Sequence, residues 1–254
     1  MKPLISVVIP VFNHAHCLER SLFSLYKQTY RPIEVIIIDD GSKDNFKETI
    51  HNIRTREQRN IKTINQNNFF YKNIQVNVIE QENKGASAAR NRGMSETKGD
   101  YVIFWDVDTI ASEKMLERML ATLESNPMAS YAYSQYRFGW KKMKSRKFDA
   151  DSLQQNNYID TTSLIRRSAV IPFDGGLKRF QDWDLWLSML EQGKVGVFVP
   201  EVLFKKIVDG RVGISNWLPS FFYRLPWQTR AVREYETARQ IVLRKHSIRE
   251  QTIV

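Results

Sequence analysis

Four apolar runs constrain the fold: LISVVIP (4–10), IEVIIIDDGS (33–42), IQVNVIEQ (74–81) and DYVIFWDVD (100–108). Short, Val- and Ile-rich and bounded by turn residues, they read as strands, most of them buried on both faces. The intervening segments carry apolar residues at helical spacing. Leu18, Leu22, Leu25 and Tyr26 mark a helix over 15–29, and Met115, Met119 and Leu123 mark one over 112–126. Further helices are expected at 45–61 and, built of small residues, at 86–96. A β-α-β-α-β-α-β order implies a Rossmann-like α/β fold, a mixed but mainly parallel central sheet with helices on both faces. The polar, Asn-rich stretch 62–73 reads as a surface insertion.

Past residue 128 the pattern loosens. SYAYSQYRFGW (130–140) looks strand-like, FQDWDLWLSMLEQG (180–193) helical, and VGVFVP (195–200) reads as the final strand. One domain over 1–210 followed by a tail over 211–254 is expected. In that tail Trp227, Ala231, Tyr235, Ala238 and Val242 fall on one helical stripe. The stripe suits either packing on the domain or lying on an acidic bilayer. Cys17 is the single cysteine, which excludes an internal disulfide and fits a reducing compartment. No run approaches the ~20 apolar residues of a membrane span, and the first strand begins near residue 4 with no signal before it. The expectation is a cytoplasmic protein, peripheral at most to the inner face of the plasma membrane. A net charge of +10 points to anionic partners. No nucleic-acid-binding signature accompanies it, so nucleic acid is not expected. RFGWKKMKSRK (137–147) holds six basic residues and no acid, a solvated edge whose Trp and Phe leave room for an anionic partner.

In parallel sheets ligands gather at the carboxyl ends of the strands, and the polar clusters lie there: Pro10 to Asn13, Asp39/Asp40 and Asp106/Asp108. Asp106 and Asp108 stand one residue apart at the end of an apolar run, and an extended chain directs both to one face. Two anions so placed repel unless a cation lies between them. A hard divalent ion would suit them; two solvated acids are the alternative. Asp39-Asp40-Gly41-Ser42 is either a plain turn or a nucleotide contact. NKGASAARNRG (83–93) opens a helix with a glycine and two arginines, suited to tight packing or to phosphate. The GxxxxGK[ST] phosphate loop is absent. Of Asp182 and Asp184, one reads as a helix cap, with Asp184 the structural acid. Asp182 is the general base if it faces the rim. His14 and His16 read as surface loop residues and Cys17 as a small helix residue.

Taken in order, VVIPVFN, VIIIDDGS, NKGASAARNRG, FWDVD and QDWDLWL resemble the family 2 glycosyltransferases of the GT-A fold, over about residues 4–205. That resemblance implies an inverting, metal-dependent hexosyltransferase using a nucleotide-diphospho-sugar, expected to be a UDP-sugar, with Mn²⁺ or Mg²⁺. The acceptor would be a glycan or lipid-linked sugar of cell-surface glycan or glycolipid synthesis. Carried over residue by residue, Pro10, Val11, Phe12, Asn13 and Asp39 line the nucleoside, and Gly85 and Arg90 flank the nucleotide. Asp106, Val107 and Asp108 complete the donor site, Asp108 with Asp106 holds the metal, and Asp182 is the catalytic base. Two departures stand out. Gln181 replaces the usual Glu before the base, which leaves a non-catalytic nucleotide-sugar-binding protein as the alternative. FKKIVDGRVGIS (204–215) offers Asp209 where relatives carry a His. A Gln-x-x-Arg-Trp motif is absent, which speaks against a processive polysaccharide synthase.

Overall fold

A computed structural model describes residues 2–57, 67–208 and 229–248. In chain order its elements are β1 (Ile5–Val11), α1 (Ala15–Tyr26), β2 (Ile33–Asp39), α2 (Phe46–Glu57), β3 (Asn68–Tyr71), β4 (Ile74–Glu80), α3 (Ala86–Ser95) and β5 (Tyr101–Phe104). They continue with β6 (Thr109–Ala111), α4 (Met115–Glu124), β7 (Ala129–Phe138), β8 (Lys141–Lys142), α5 (Ala150–Gln155), β9 (Leu164–Arg166), α6 (Gln181–Glu191), β10 (Val195–Lys206) and α7 (Arg230–Lys245).

One sheet runs β3-β4-β2-β1-β5-β9-β7-β10-β6, with β8 beside β7. The long pairings β1–β2, β2–β4 and β7–β10 are parallel, as is β1–β5. Short antiparallel β9 joins the halves between β5 and β7. Alternate residues of β1 feed opposite faces: Ile5, Val7 and Ile9 join the cluster built with α1, α2 and α4, while Val8 joins the one built with α6. Ile36 and Ile38 pack on Ala89 of α3. The expected mainly parallel α/β sheet, covered on both faces, is the architecture of this chain.

Three local expectations are corrected, and one left open between two readings is decided. The Asn-rich stretch 62–73 is not all surface insertion, because β3 lies within it and pairs antiparallel with β4, burying Phe69 and Tyr71; residues 62–66 lie outside the described ones. The fourth strand ends at Phe104, and Thr109 N–H donates to the Asp106 carbonyl at 2.9 Å. Asp106 and Asp108 therefore sit in a turn rather than on one face of a strand. The last strand does not stop at Pro200. β10 continues to Lys206 because an irregularity between Val199 and Val202 takes up the proline, whose missing N–H is harmless there. Of the two readings of the tail stripe, packing on the domain is the one that holds for its described part. Val242 and Leu243 are buried in the α6-side cluster, and Tyr235 meets Phe180 edge-on at 4.9 Å. The described part of the stripe is thus no bilayer-facing surface. Trp227 and the boundary read at 210/211 lie outside the described residues. No described helix is long and apolar enough to cross a membrane.

Candidate active site

The loops leaving β1 and β2 are fastened to each other. Asn13 N–H donates to Ser42 Oγ at 3.0 Å, Lys43 N–H to Asn13 Oδ1 at 2.7 Å, and Ala15 N–H to Asp44 Oδ2 at 2.9 Å. Asp39 is buried and accepts from Ser42 N–H at 3.0 Å. Asp40, which the sequence reading gave no role, organises the next loop. Its carboxylate accepts from Gln81 Nε2 and from the Lys84 and Gly85 N–H groups at 2.7, 2.9 and 2.8 Å, so the start of α3 is held by β2. Gly41 is required between them: its φ is +75°, and a Cβ would lie 2.9 Å from the Asn83 nitrogen.

An ion cluster occupies the other side of the rim. Asp106 Oδ1 accepts from Arg90 Nη2 at 2.8 Å, and Oδ2 from Lys206 Nζ at 2.7 Å. Lys206 also meets Asp160 Oδ2 at 2.6 Å. Arg90 Nη1 donates to Gln181 Oε1 at 2.9 Å, while Gln181 Nε2 donates to the Leu177 carbonyl at 2.8 Å. The amide at 181 thus has its acceptor and a donor both engaged, one of them by Arg90. The Arg90 guanidinium also lies 5.3 Å from the centre of the Phe173 ring, whose backbone Asn91 holds at both ends.

These contacts divide the carboxylates by charge state. Burial would raise the Asp106 carboxyl, but Lys206 first and Arg90 second hold it well below the usual range. Burial would lower Lys206, but Asp106 and Asp160 raise it well above an ordinary lysine, so it stays charged. Asp108 is the opposite case. Burial and the Asp106 charge, only partly opposed by Lys206, push it up to about 6. Its Oδ1 is buried and, among the described residues, has no hydrogen-bond partner. A buried carboxyl oxygen without a partner, beside a fully paired carboxylate, is satisfied by either a proton or a cation. Ser87 Oγ and Arg90 Nε, one turn apart on α3, are likewise buried without a partner among the described residues. Asp182, in the first turn of α6, accepts its neighbour Trp183 N–H at 2.9 Å. Burial first and Asp160 second raise its carboxyl, opposed by Lys206.

Arg90, Asp106, Asp108 and Asp182 therefore share one electrostatic cluster, linked through Lys206 and Asp160. Pro10 and Asp39 lie at the ends of β1 and β2 on the same rim, Phe12 (44% exposed) and Asn13 lie on the fastened loop after β1, and Gly85 stands at the N-terminus of α3. Val11 and Val107 turn their side chains into the core, leaving backbone as what they present. Asp184 does not cap α6. It is buried and accepts from Lys245, the last residue of α7, and from His246 just after it. Asp209 lies outside the described residues. Lys206 and Asp160 went unread because isolated charges carry no local motif; Lys206 also sits beyond a proline that reads as a strand end.

A parallel α/β sheet with donor-type loops and acids on its carboxyl rim is the framework of GT-A glycosyltransferases. The family model for glycosyl transferase family 2 matches residues 6–174, and the chain belongs to that family. It is 29% identical over 221 residues to an uncharacterized glycosyltransferase of Haemophilus influenzae, covering 84% of this chain and 82% of that protein. It is 26% identical over 200 residues to WfgD of Escherichia coli, a UDP-Glc:alpha-D-GlcNAc-diphosphoundecaprenol beta-1,3-glucosyltransferase, covering 76% of this chain and 72% of that protein. Staphylococcus aureus TarS, solved with UDP-GlcNAc, superposes with a TM-score of 0.68 at 16% identity over 96% of this chain and 66% of that one. The mannosyltransferase PcManGT of Pyrobaculum calidifontis, solved with GDP-Man and Mn²⁺, gives 0.65 at 15% identity over 97% and 63%. The chain spans only 35% of GlyG of Streptococcus pneumoniae, another relative.

Proposed function

We propose that this glycosyltransferase transfers a hexose from a nucleotide-diphospho-sugar, a UDP-sugar, to an acceptor hydroxyl with inversion. The observation that carries the proposal is the charge division of the rim. Asp182, half-buried in the first turn of α6, has its carboxyl raised by burial first and Asp160 second, and among the described residues it makes no ion pair with Arg90 or Lys206; Asp108, also raised, is assigned below to the metal. The Asp182 carboxylate takes the proton as the acceptor oxygen bonds to the anomeric carbon; the bond from that carbon to the diphosphate oxygen breaks and its electron pair leaves with the nucleotide. Arg90 and Lys206 keep Asp106 neutralised, so that the rim does not repel an incoming diphosphate.

The residues suit a divalent ion. Asp108 offers a buried oxygen with no other partner among the described residues, and one carboxylate together with substrate phosphates is a common way to hold Mg²⁺ or Mn²⁺. Such an ion would offset charge on the departing diphosphate. Asp106, with both oxygens already engaged, is read as its neighbour rather than its ligand. The name of WfgD, which gives a GlcNAc-diphosphoundecaprenol acceptor, supports a lipid-diphosphate-linked acceptor here. The non-catalytic alternative rested on Gln181. That residue bridges Arg90 and the Leu177 carbonyl, and a Glu there would turn a charge toward that carbonyl in place of the amide donor.

Titration calorimetry with UDP-, dTDP- and GDP-sugars, each with and without Mn²⁺, tests the donor. Tight, Mn²⁺-dependent binding of a UDP-sugar is expected. Equal affinity with and without Mn²⁺ would remove the metal assignment, and preference for a GDP-sugar would remove uridine.

A further inference from the structure

The acid-free run at 137–147 forms the β7–β8 hairpin. Gly139, at φ +58°, makes its turn; Arg137 Nη1 donates to the Trp140 carbonyl at 3.2 Å. Gly139 N–H donates to the Lys206 carbonyl at 2.9 Å, which ties the hairpin to the end of β10. At the tip Trp140 is 85% exposed, and Val208, 54% exposed, lies against Gly139.

Beneath the tip, Lys142 of β8, Arg137 of β7 and Lys205 of β10 stand directly opposite one another in register. Residues paired in this way share a face of the sheet, and all three are exposed. Exposed Lys144, Arg146 and Lys147 follow. Like charges directly opposite destabilise a ladder, and no acid enters this row. Among the described residues no ion pair engages Lys142, Lys144, Lys147 or Lys205. The nearby acid Asp149 faces Arg146.

A row of unneutralised cations beneath an exposed tryptophan matches a layered surface, anionic on the outside and apolar within. Tryptophan is favoured at headgroup depth, where its ring is half buried and its N–H stays wet. A soluble polyanion would engage the cations but leave Trp140 and Val208 without a role. We propose that the β7–β8 hairpin is a membrane anchor. Trp140 enters the headgroup layer of an anionic bilayer while Arg137, Lys142, Lys144, Lys147 and Lys205 meet lipid phosphates. Because the same strand end carries Lys206, docking brings the active-site rim to the lipid surface. The anchoring itself does not depend on the catalytic reading.

The test is partition of the full chain onto phosphatidylcholine vesicles with and without phosphatidylglycerol, for the wild type, Trp140→Ala, and Lys142→Ser/Lys144→Ser/Lys147→Ser. The wild type should bind the anionic vesicles and release as salt rises. Each lysine near the surface should count for about fivefold, so the triple variant should lose roughly 100-fold. Trp140→Ala should also weaken vesicle binding, with the thermal midpoint unchanged, while leaving binding to heparin unaltered. No wild-type binding to anionic vesicles at low salt would overturn the proposal, as would a triple variant that binds like wild type. Trp140→Ala indistinguishable from wild type on vesicles would make the hairpin a polyanion site instead and equally overturn it.

Discussion

Lys206 controls the charge balance of the rim although nothing in its local sequence marks it. It is 11% exposed and serves two carboxylates, Asp106 at 2.7 Å and Asp160 at 2.6 Å. Removing one partner of a buried ion pair leaves uncompensated charge, a loss of about 3–5 kcal/mol. Lys206→Met should therefore lower unfolding stability by about that amount. Adding Asp106→Asn should recover part of it, since the two sites are coupled. Urea denaturation of the four proteins in this cycle measures both effects; an unaltered midpoint for Lys206→Met would show that the clamp carries no stability. Asp108 responds in the opposite direction. Its folded pKa is raised from 3.8 to about 6, so ionising it costs stability in the free protein. That cost is absent below 3.8, grows through this interval and is complete above about 6. Asp108→Asn should thus gain stability over wild type as pH rises across that window, while losing Mn²⁺-dependent donor binding. A stability difference that does not vary with pH would contradict the assigned environment.

At the scale of elements, α6 joins the reaction centre to the tail. Its first turn carries Gln181 and Asp182, and two residues on Asp184 accepts from Lys245 of α7 and from His246 just after it at 2.8 and 2.9 Å. His246 also meets Glu191 at 2.7 Å, and Lys245 meets Asp174 at 2.6 Å. Burial alone would lower the His246 pKa, but the hydrogen bonds to Asp184 and Glu191 outweigh it and raise it above 6.5. A histidine with a raised folded pKa stabilises fully below its unfolded value, and that stabilisation fades as pH rises through the folded one. The thermal midpoint of wild type relative to His246→Gln should accordingly be highest in mild acid and shrink above neutrality. A constant difference from about pH 5 to about pH 9 would show that His246 is not charged in the docked helix. Asp184→Ala, which removes the buried acceptor that Lys245 and His246 share and leaves them only Asp174 and Glu191, should lower the midpoint at every pH in that range.

For the whole molecule, the legible part was the doubly covered half of the sheet. β1, β2 and β5 lie between layers of helices, so burial on both faces made them continuous apolar runs, while β4, covered on one face, shows as an alternating strand. β3 was obscured by asparagines around its alternating Phe69 and Tyr71, and the second half of β10 by Pro200. The loop acids stood out because turn and ligand residues concentrate at strand ends, whereas the ion cluster joins Arg90, Asp106, Asp160, Gln181 and Lys206 from distant parts of the chain. Such a cluster exists only once the sheet has closed. The tail stripe had the right period and an undetermined partner, since amphipathicity does not say what covers a face. The central claim, that the assembled rim turns over a sugar donor with Asp182 as base, is tested most directly by comparing sugar transfer and donor affinity in wild type and Asp182→Asn. Asparagine keeps the shape and removes the basicity. Transfer should fall by at least ~10², as for a lost general base, with donor affinity nearly unchanged. Transfer at the wild-type rate by a folded Asp182→Asn protein would contradict it.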